Sequence, residues 1–287
     1  MVTLIADSGS TKTTWCLVDA EKDRPLFLKP VQTQGLNPLY ASADDIADAA
    51  RQVISQTGEH YPDLVQFYGA GCSGERIDVV SKALRRVFSP ATRIEVASDL
   101  LAACRALYPS AGGKSSGIAC ILGTGAIAAS YDSSTDVMTP ASSLGYILGD
   151  EGSGAWFGRN VLSDYLKEQM PSRTRALFEQ DFSVVSAESA IQHVYQQPFP
   201  NRYLASFATF VGLHPENSYC QQLAFNGIEL FFRRNVMRLN PKPGDTVSFV
   251  GSVAYHLRNV LEQHCLLNDL VLGDVFQEPM EGLIRKR

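Results

Sequence analysis

The 287-residue chain has little positive charge and no dense basic segment. Its 25 Lys and Arg residues are scattered along the chain and are outnumbered by 30 Asp and Glu residues, so the net charge is −5. A nucleic-acid groove needs a concentrated positive face, and we therefore expect no nucleic-acid partner. The deficit does not exclude an anionic ligand, because backbone N–H groups and a metal ion can hold a phosphate.

The chain also lacks paired metal ligands and long apolar runs. Its six cysteines form no C-x-x-C pair and its five histidines show no ligand spacing, so we expect neither a zinc site nor a disulfide framework. Cys16 and Cys120 lie within apolar runs, which favours buried, reduced thiols. No apolar run approaches the roughly 20 residues of a membrane span, and no basic signal-peptide region precedes Asp7. We expect a cytoplasmic protein without a membrane partner.

Strands alternate with helices along the first hundred residues. A turn rich in Asp, Ser, Gly and Thr separates the first two apolar runs. Ser42 can cap a helix together with Asp45, because a capping box pairs these residue types three positions apart. Alternating strands and helices indicate a layered α/β domain. The predicted elements are strands over 4–6, 14–18, 26–28, 64–70 and 94–97, and helices from 42, over 78–88 and over 100–107.

The strand–turn–strand pattern restarts at residues 117–132, this time around a Gly-Thr-Gly turn. The architecture of the first eighteen residues is repeated there, although few residues match. Two α/β halves that each open with such a hairpin suggest two turns facing each other across a cleft. The later predicted elements are helices over 153–169, 220–239 and 253–265, and strands over 247–250 and 270–272.

The segment 7–13, Asp-Ser-Gly-Ser-Thr-Lys-Thr, has the composition of a phosphate-binding turn. Small residues let the backbone approach a phosphate closely, and successive N–H groups can donate to it. Its candidate phosphate ligands are Ser10, Thr11, Lys12 and Thr13. Asp7 ends a buried strand, where its carboxylate can hold Mg²⁺. The segment is not a Walker loop, which needs Gly before the Lys, and an ordinary hairpin turn is the alternative.

Two further turns have similar chemistry. Leu-Gly-Thr-Gly-Ala (122–126) occupies the equivalent place in the second half, and Phe-Val-Gly-Ser-Val (249–253) leads from a strand into a helix. Gly in the latter permits a flat or anionic ligand to approach the helix N-terminus. For each segment alone, a tight connection between elements is the alternative interpretation.

Two acidic residues stand at helix starts. Asp99 follows the strand 93–98, at the end where α/β proteins place reactive groups, but a helix N-cap is the plainer interpretation. Asp150 lies in Leu-Gly-Asp-Glu-Gly-Ser-Gly (148–154) before another helix. Acidic residues are ordinary there, and the density of Gly around this one is unusual.

Taken together, these segments resemble the two phosphate motifs and the adenosine motif of the actin, hexokinase and Hsp70 superfamily. Gly-Tyr-Ile-Leu-Gly-Asp-Glu-Gly-Ser (145–153) resembles the BadF/BadG/BcrA/BcrD ATPase family, which includes the N-acetylglucosamine kinases. The match in order and spacing covers essentially the whole chain. It implies an α/β fold of two actin-like (ribonuclease H-like) domains flanking an active-site cleft. The domains would be 1–107, joined by a C-terminal helix at 274–287, and 108–273.

The resemblance implies an ATP- and Mg²⁺-dependent kinase that phosphorylates a hydroxyl, on C6, of N-acetylglucosamine or a related amino sugar. Asp99 would be the general base and Asp7 would organise Mg²⁺, directly or through water. A homodimer is also expected from the family. The ATP-binding residues would be Ser10, Thr11, Lys12, Thr13, Thr124, Gly125, Gly251 and Ser252. The sugar-binding residues would be Asn37, Asp99, Thr124, Gly125, Gly145, Tyr146 and Asp150.

The chain departs from relatives at two places. Ser8 and Ser10 stand where many relatives have Gly. Tyr146 stands where animal N-acetylglucosamine kinases have Trp, which leaves recognition of the N-acetyl group open.

Three other functions fit these residues less well. An ATPase activator of a 2-hydroxyacyl-CoA dehydratase would hold an iron–sulfur cluster, but the segment 96–100 lacks the activators' Cys-His, so Cys72 or Cys104 would have to serve. A nucleotide-dependent binding module of the Hsp70 type would need an additional partner-binding domain. A zinc-bearing ROK sugar kinase would need clustered Cys and His ligands, which the sequence lacks.

Overall fold

The computed structural model describes residues 1–9, 12–19, 24–25, 30–57, 61–109 and 116–285. The chain divides into two compact units. The N-terminal unit comprises Met1–Ser115 and Glu278–Arg287, and the C-terminal unit comprises Ser116–Gln277. These divisions fall a few residues beyond the predicted boundaries at 107/108 and 273/274.

Each unit contains one mixed sheet with helices packed on it. The described strands are β1 Val2–Ser8, β2 Lys12–Asp19, β3 Arg24–Pro25, β4 Val31–Gln34, β5 Leu64–Gly69, β6 Arg93–Ser98, β7 Ser116–Leu122, β8 Ala126–Asp132, β9 Val137–Pro140, β10 Thr246–Val250 and β11 Val271–Phe276. The described α-helices are α1 Ala43–Gln56, α2 Arg76–Arg85, α3 Asp99–Leu107, α4 Gly145–Leu148, α5 Gly154–Leu166, α6 Ser172–Phe182, α7 Ala187–Tyr195, α8 Pro200–Ser206, α9 Thr209–Leu213, α10 Ser218–Phe231, α11 Ser252–His256, α12 Arg258–Leu267 and α13 Pro279–Arg285.

The N-terminal sheet has the order β3-β2-β1-β5-β6, and β4 also pairs with β2. β1 and β2 form an antiparallel hairpin, whereas β1, β5 and β6 run parallel. Because side chains alternate along a strand, β1 presents Leu4 and Ala6 to the core that contains α1 and α2. Ile5 instead packs with residues of α3 and α13. The sheet therefore lies between two helical layers.

Local sequence signals account well for α1. Ser42 caps it through a capping box with Asp45, as predicted. The predicted apolar face, Ile46 to Ile54 at helical spacing, is buried. The predicted strand at 26–28 lies outside the described residues.

The C-terminal sheet repeats the topology of the first. Its order, β11-β10-β7-β8-β9, places the β7–β8 hairpin at the centre with parallel β10 and β11 beyond it. The predicted restart of the pattern at residues 117–132 is confirmed, and with it the α/β fold of two actin-like domains.

Three elements of the C-terminal half differ from the predictions. Asp274–Phe276, predicted to open the last helix, extend β11, and α13 begins only at Pro279. The single helix predicted over 253–265 is interrupted at Leu257 and becomes α11 and α12. The helices α6 to α9 had no counterpart in the predictions, because they are short and several bury only one or two residues.

Two structural findings bear on the alternatives raised by the sequence. No helix among the described residues is long and apolar enough to cross a membrane. The six cysteines are buried as reduced thiols. Cys72 and Cys104, which a dehydratase activator would need as cluster ligands, are 2% and 0% exposed and are thus enclosed by protein.

Candidate functional site

The turn between β1 and β2 is held by a chain of buried hydroxyl groups. The backbone N–H of Leu36 donates to Ser8 Oγ (3.1 Å), and the Ser8 and Thr13 hydroxyls are 2.9 Å apart. Thr13 Oγ1 donates its single hydrogen to the carbonyl oxygen of Gln34 (2.8 Å). Both side chains are fully buried. Thr13 thus fixes the turn from inside and has no hydroxyl hydrogen left for a phosphate.

The tip of the same turn carries the other predicted phosphate ligands. Ser10 and Thr11 lie outside the described residues. Gly9 N–H donates to the carbonyl oxygen of Lys12 (3.0 Å), which closes the hairpin. The half-exposed Lys12 ammonium pairs with the carboxylate of Glu278, just before α13. A phosphate at Lys12 would therefore compete with Glu278.

Asp7 and Asp99 gather at the carboxyl edge of the parallel strands. Asp7 is in register with Tyr68 on β5, which is in register with Ala97 on β6. Asp99 follows β6 directly as the first residue of α3, and its negative charge acts on Asp7. The strands β1 and β6 are separated only by β5, so these backbones lie about 10 Å apart. Both acids keep part of their surface accessible.

The pKa values of both acids are perturbed in the same direction. Burial raises the pKa of Asp7 to about 7, and the negative charges of Asp99 and Glu278 add to this effect, against the opposing charge of Lys12. Burial also raises the pKa of Asp99, although the N–H groups of Leu100 and of Asp99 itself act to lower it. Two partly buried carboxyl groups at one sheet edge favour a cation or a proton donor between them.

Asp99 is not the N-cap of its helix, which corrects the plainer interpretation of the sequence. Ser98 is the cap, and its hydroxyl accepts from the N–H of Leu101 (3.3 Å). Asp99 is the first residue of α3, and its Oδ1 accepts from the N–H of Leu100 (2.9 Å). Ser98 therefore occupies the N-cap position and Asp99 only accepts from the next N–H, so the N-cap preference does not explain an acid at position 99.

Asn37 borders the same edge of the N-terminal sheet. Its buried side chain accepts from the N–H of Leu39 (2.9 Å). It lies so close to Gly71, after β5, that a Cβ there would come within 2.4 Å of Asn37 Oδ1. The next residue, Cys72, has its pKa raised to about 12 by burial and by the charge of Asp99. The loop after β5 therefore connects Asn37 with the surroundings of Asp99.

In the C-terminal unit, the Gly-Thr-Gly turn and Asp150 lie against each other. Asp150 Oδ1 accepts from the N–H of Ala126 (3.3 Å), and a Cβ at Gly125 would come within 3.1 Å of its other oxygen. Asp150 has a left-handed backbone with φ of 53°. Such strain in a non-Gly residue is common at functional sites. Burial is the main cause that raises the pKa of this carboxyl.

The turn after β10 closes on the same Gly-Thr-Gly turn. Gly251 has φ of 122°, and a Cβ there would come within 2.3 Å of the carbonyl oxygen of Leu122. Only Gly permits this approach, so the packing of two backbones accounts for Gly251, as in the tight connection that is the alternative interpretation of 249–253. Ser252 then opens α11. The structure thus unites Thr124, Gly125, Asp150, Gly251 and Ser252 at one end of the C-terminal sheet.

A mainly apolar cavity of about 330 Å³ opens beside these turns, within the C-terminal unit. Its volume lies in the range of small-ligand sites, which are apolar with a few polar groups. Thr124 and Ser252 line it, as the predictions require of nucleotide-binding residues. Its opposite wall comes from α9, which the sequence had not indicated, and from the end of α11. Polar groups on these walls include Thr209 and His256.

Gly145 and Tyr146 begin the short helix α4, a few residues before Asp150. Gly145 has φ of 70°, and nothing lies within 4 Å of a Cβ built there. The Tyr146 side chain packs partly against the core, and Arg159 donates to its carbonyl oxygen (3.4 Å). Leu144, Ile147 and Leu148 around it are exposed. The segment is therefore a short, exposed helix with a left-handed glycine at its start.

The donor set suits Mg²⁺ held jointly with phosphates. Among the described residues there is no cluster of three His, Cys, Asp or Glu side chains that could hold a metal ion. Mg²⁺ commonly takes only one or two carboxylates and completes its shell with water and substrate phosphates. Asp7 offers such a hard oxygen ligand. Burial and the charges of Asp99 and Glu278 raise its pKa, and a bound cation would stabilise its charged form.

Solved structures share this fold over its full length. The proposed N-acetylglucosamine kinase of Chromobacterium violaceum superposes with a TM-score of 0.71 at 18% identity, over 99% of this chain and 97% of that one. A ROK family glucokinase from Streptomyces griseus, in complex with glucose and AMPPNP, has a TM-score of 0.60 at 15% identity, over 100% and 98%. Two α/β units with repeated sheet topology thus define an actin-like fold of the sugar-kinase type.

A nearer relative shows the family. The proposed N-acetylglucosamine kinase of Porphyromonas gingivalis is 42% identical, with a TM-score of 0.89 over 99% of this chain and 98% of that one. The chain belongs to the family of that protein. No protein-family model and no curated protein matches this chain.

Proposed function

We propose that the protein is an ATP-dependent sugar kinase that transfers the γ-phosphate to the C6 hydroxyl of N-acetylglucosamine or a related amino sugar. The single observation that carries this proposal is the carboxylate of Asp99. It lies at the carboxyl edge of a parallel sheet beside a second buried acid, and Ser98 relieves it of a capping role. The family relationship and the resemblance to BadF/BadG/BcrA/BcrD ATPases support the choice of acceptor.

In this proposal Asp99 is the general base. The acceptor hydroxyl attacks the γ-phosphorus, the bond to the β-phosphate oxygen breaks, and ADP leaves. The hydroxyl proton passes to Asp99 Oδ as the new ester bond forms. Phosphoryl transfer depends mainly on alignment and charge neutralisation, so the base acts late and chiefly orients the hydroxyl. Burial, which raises the pKa of Asp99, makes it a stronger base than an exposed aspartate.

Asp7 would bind Mg²⁺, directly or through water, at the edge of β1. When bound, the ion supplies positive charge that neutralises the phosphates. The backbone of the β1–β2 turn, together with Ser10, Thr11 and Lys12, would donate to the phosphates. The Thr13 hydroxyl is left out of this set, since it donates to Gln34.

The C-terminal unit would bind the rest of the nucleotide. Thr124 and Gly125 offer backbone N–H groups, and Gly251 and Ser252 offer a close backbone approach at the start of α11. The adjoining cavity has the size and apolar character suited to a nucleoside. The apolar walls of this cavity would exclude water from the nucleobase and would form few hydrogen bonds with it.

The sugar would be held by polar side chains and backbone groups. The candidates are Asn37, Asp99, Thr124, Gly125, Gly145, Tyr146 and Asp150. The strained backbone of Asp150 and its bond to Ala126 support a fixed carboxylate for sugar hydroxyls. We also propose a homodimer, from the family resemblance, and a cytoplasmic location, which suits buried reduced thiols.

Asp99→Asn tests the proposal, because the amide keeps the shape of the side chain and removes the base. We expect kcat for N-acetylglucosamine phosphorylation to fall about 10²- to 10⁴-fold, with AMPPNP affinity kept within about threefold. Ser98→Ala is the matched control, since it costs about 1 kcal/mol of stability through the lost cap but leaves the base. An AMPPNP affinity that falls as steeply as kcat would contradict the role given to Asp99.

A further inference from the structure

One wall of the apolar cavity is a very short helix. α9 spans Thr209–Leu213, and four of its five residues line the cavity. Gly212 has no side chain, and no atom lies within 4 Å of a Cβ built there. This part of the wall is therefore not held in place by side-chain packing. An isolated helix of this length is unstable in water. Its position must therefore be set by what packs behind it.

α9 packs against α5 and α10, and α6, which does not line the cavity, also contacts its buried side. Phe210, the α9 residue that turns away from the cavity, is fully buried. Its ring meets Phe178 at 5.5 Å and Phe182 at 6.4 Å between centroids. These apolar contacts hold α9 against α6, but they do not by themselves fix the direction of its C-terminal end.

One polar contact between side chains joins the residue after that end to α6. His214 follows α9 directly, and its backbone N–H donates to the carbonyl oxygen of Phe210 (3.2 Å). His214 Nε2 lies 2.7 Å from Asp181 Oδ2 on α6. Because a carboxylate only accepts, this Nε2 carries the hydrogen. The side chains of His214 and Asp181 are 20% and 26% exposed, and Asp181 is an exposed residue of α6, so this bond lies at the surface of the unit.

We infer that Asp181 and His214 are positioning residues for nucleotide binding. They hold the α9 wall at the distance that lets the cavity close on the nucleoside of ATP, although neither residue lines the cavity. The inference rests on the proposed function, since it assumes that this cavity receives the nucleoside. It concerns ATP alone, because α9 carries none of the residues proposed to bind the sugar or to act on the hydroxyl.

Steady-state kinetics of Asp181→Ala, His214→Ala and the double variant test the inference. We expect the KM for ATP to rise about three- to fivefold, as the loss of a charge-assisted hydrogen bond at the surface implies. The values of kcat and of KM for the sugar should stay within about twofold. The double variant should resemble either single variant, because both remove the same bond. His214→Gln, whose amide can donate to Asp181, should restore most of the affinity.

His193→Ala is the matched control. This histidine lies on α7, where its Nδ1 meets the carbonyl oxygen of Ser189 (2.8 Å) and its ring stacks on Tyr203, and neither contact involves α9. We expect its KM for ATP to stay at the wild-type value. AMPPNP binding by calorimetry reads the same effect without any sugar.

Two results would overturn the inference. One is an unchanged KM and AMPPNP affinity in both alanine variants, and the other is a parallel loss in kcat and sugar KM that His214→Gln fails to reverse. If the alanine variants do not fold, Asp181→Leu and His214→Phe remove the bond with less change in side-chain volume, and His214→Gln remains the variant that should keep the affinity. Failure of the proposed function would look different, since the wild type itself would then phosphorylate no sugar.

Discussion

Replacing Asp7 with asparagine should stabilise the protein and abolish its use of Mg²⁺-ATP. Asp7 lies near the end of β1. Burial raises the pKa of its carboxyl group from 3.8 to about 7, and the charges of Asp99 and Glu278 add to the effect. The charged form of this side chain is thus poorly tolerated by the fold. An asparagine has nearly the same shape and carries no charge.

The sign and size of the effect follow from proton linkage. The folded state binds more protons than the unfolded chain between pH 3.8 and about 7, so wild-type stability falls as pH rises through this window. The penalty is absent below pH 3.8 and complete above about pH 8. Each tenfold change in acid strength corresponds to about 1.4 kcal/mol, so the full penalty is about 4 kcal/mol. The buried amide of the Asp7→Asn variant has its own cost, and we expect a net gain of about 2 to 3 kcal/mol at about pH 8.5.

Urea unfolding of the wild type and of Asp7→Asn between about pH 5 and pH 8.5 measures this gain. The chain has two tryptophans, and Trp15 in the N-terminal unit is buried beside Phe67. In a Trp156→Phe background the fluorescence of Trp15 therefore reports on the unit that contains Asp7. Asp48→Asn, at an exposed position on α1, is the control for the same chemical change and should alter stability by no more than about 0.5 kcal/mol.

The stability gain of Asp7→Asn should grow by about 3 kcal/mol from about pH 5 to pH 8.5. A gain that is independent of pH, or a loss of stability that deepens as pH rises, would refute the electrostatic reasoning. A variant that binds Mg²⁺-AMPPNP as tightly as the wild type would separately refute the metal-binding role.

Further variants probe the C-terminal unit. Gly251→Ala should destabilise the protein by more than about 2 kcal/mol in urea unfolding, because its Cβ would clash with the Leu122 carbonyl at a positive φ; a normal midpoint would contradict this. Gly212→Leu should leave the melting temperature unchanged, since its Cβ position is open. It should raise the KM for ATP about tenfold by filling the cavity, and an unchanged KM would argue against a nucleoside there. Asp150→Asn, which tolerates the left-handed backbone, should keep its melting temperature and lower kcat/KM for the sugar about 100-fold; wild-type kinetics would remove this residue from the site.

Much of the site could be predicted because its chemistry is local in sequence. A turn built from Gly, Ser and Thr between two apolar strands can be recognised from local sequence alone. The same holds for Asp99 and Asp150, which follow short, recognisable patterns. The repeated order of strands in the two halves then required these turns to lie at corresponding ends of the sheets.

The use of individual hydroxyls could not be predicted in this way. Thr13 looked like a phosphate ligand, but the strand β4 pairs beside it and takes its hydrogen at Gln34. The sequence predicts Asp99 as the N-cap of α3, one residue after the observed cap Ser98. Ser and Asp are both favourable caps, and only the backbone geometry decides between them. Contacts made across the sheet decide such cases.

The cavity wall was missed for a different reason. α9 has five residues, too few to show a helical period, and its contacts with α6 join residues more than 25 positions apart. The interruption at Leu257, which separates α11 from α12, was likewise hidden in a continuous helical pattern. Short elements fixed by tertiary packing leave little trace in local sequence.

The sugar dependence of ATP consumption by the wild-type protein tests the central claim most directly. ADP release would be followed with and without N-acetylglucosamine, and the product would be examined by ³¹P NMR. Our account predicts ADP release that requires the sugar, one ADP for each sugar, and a phosphate ester on C6. ADP release at the same rate without any amino sugar, with no phosphate ester formed, would contradict it.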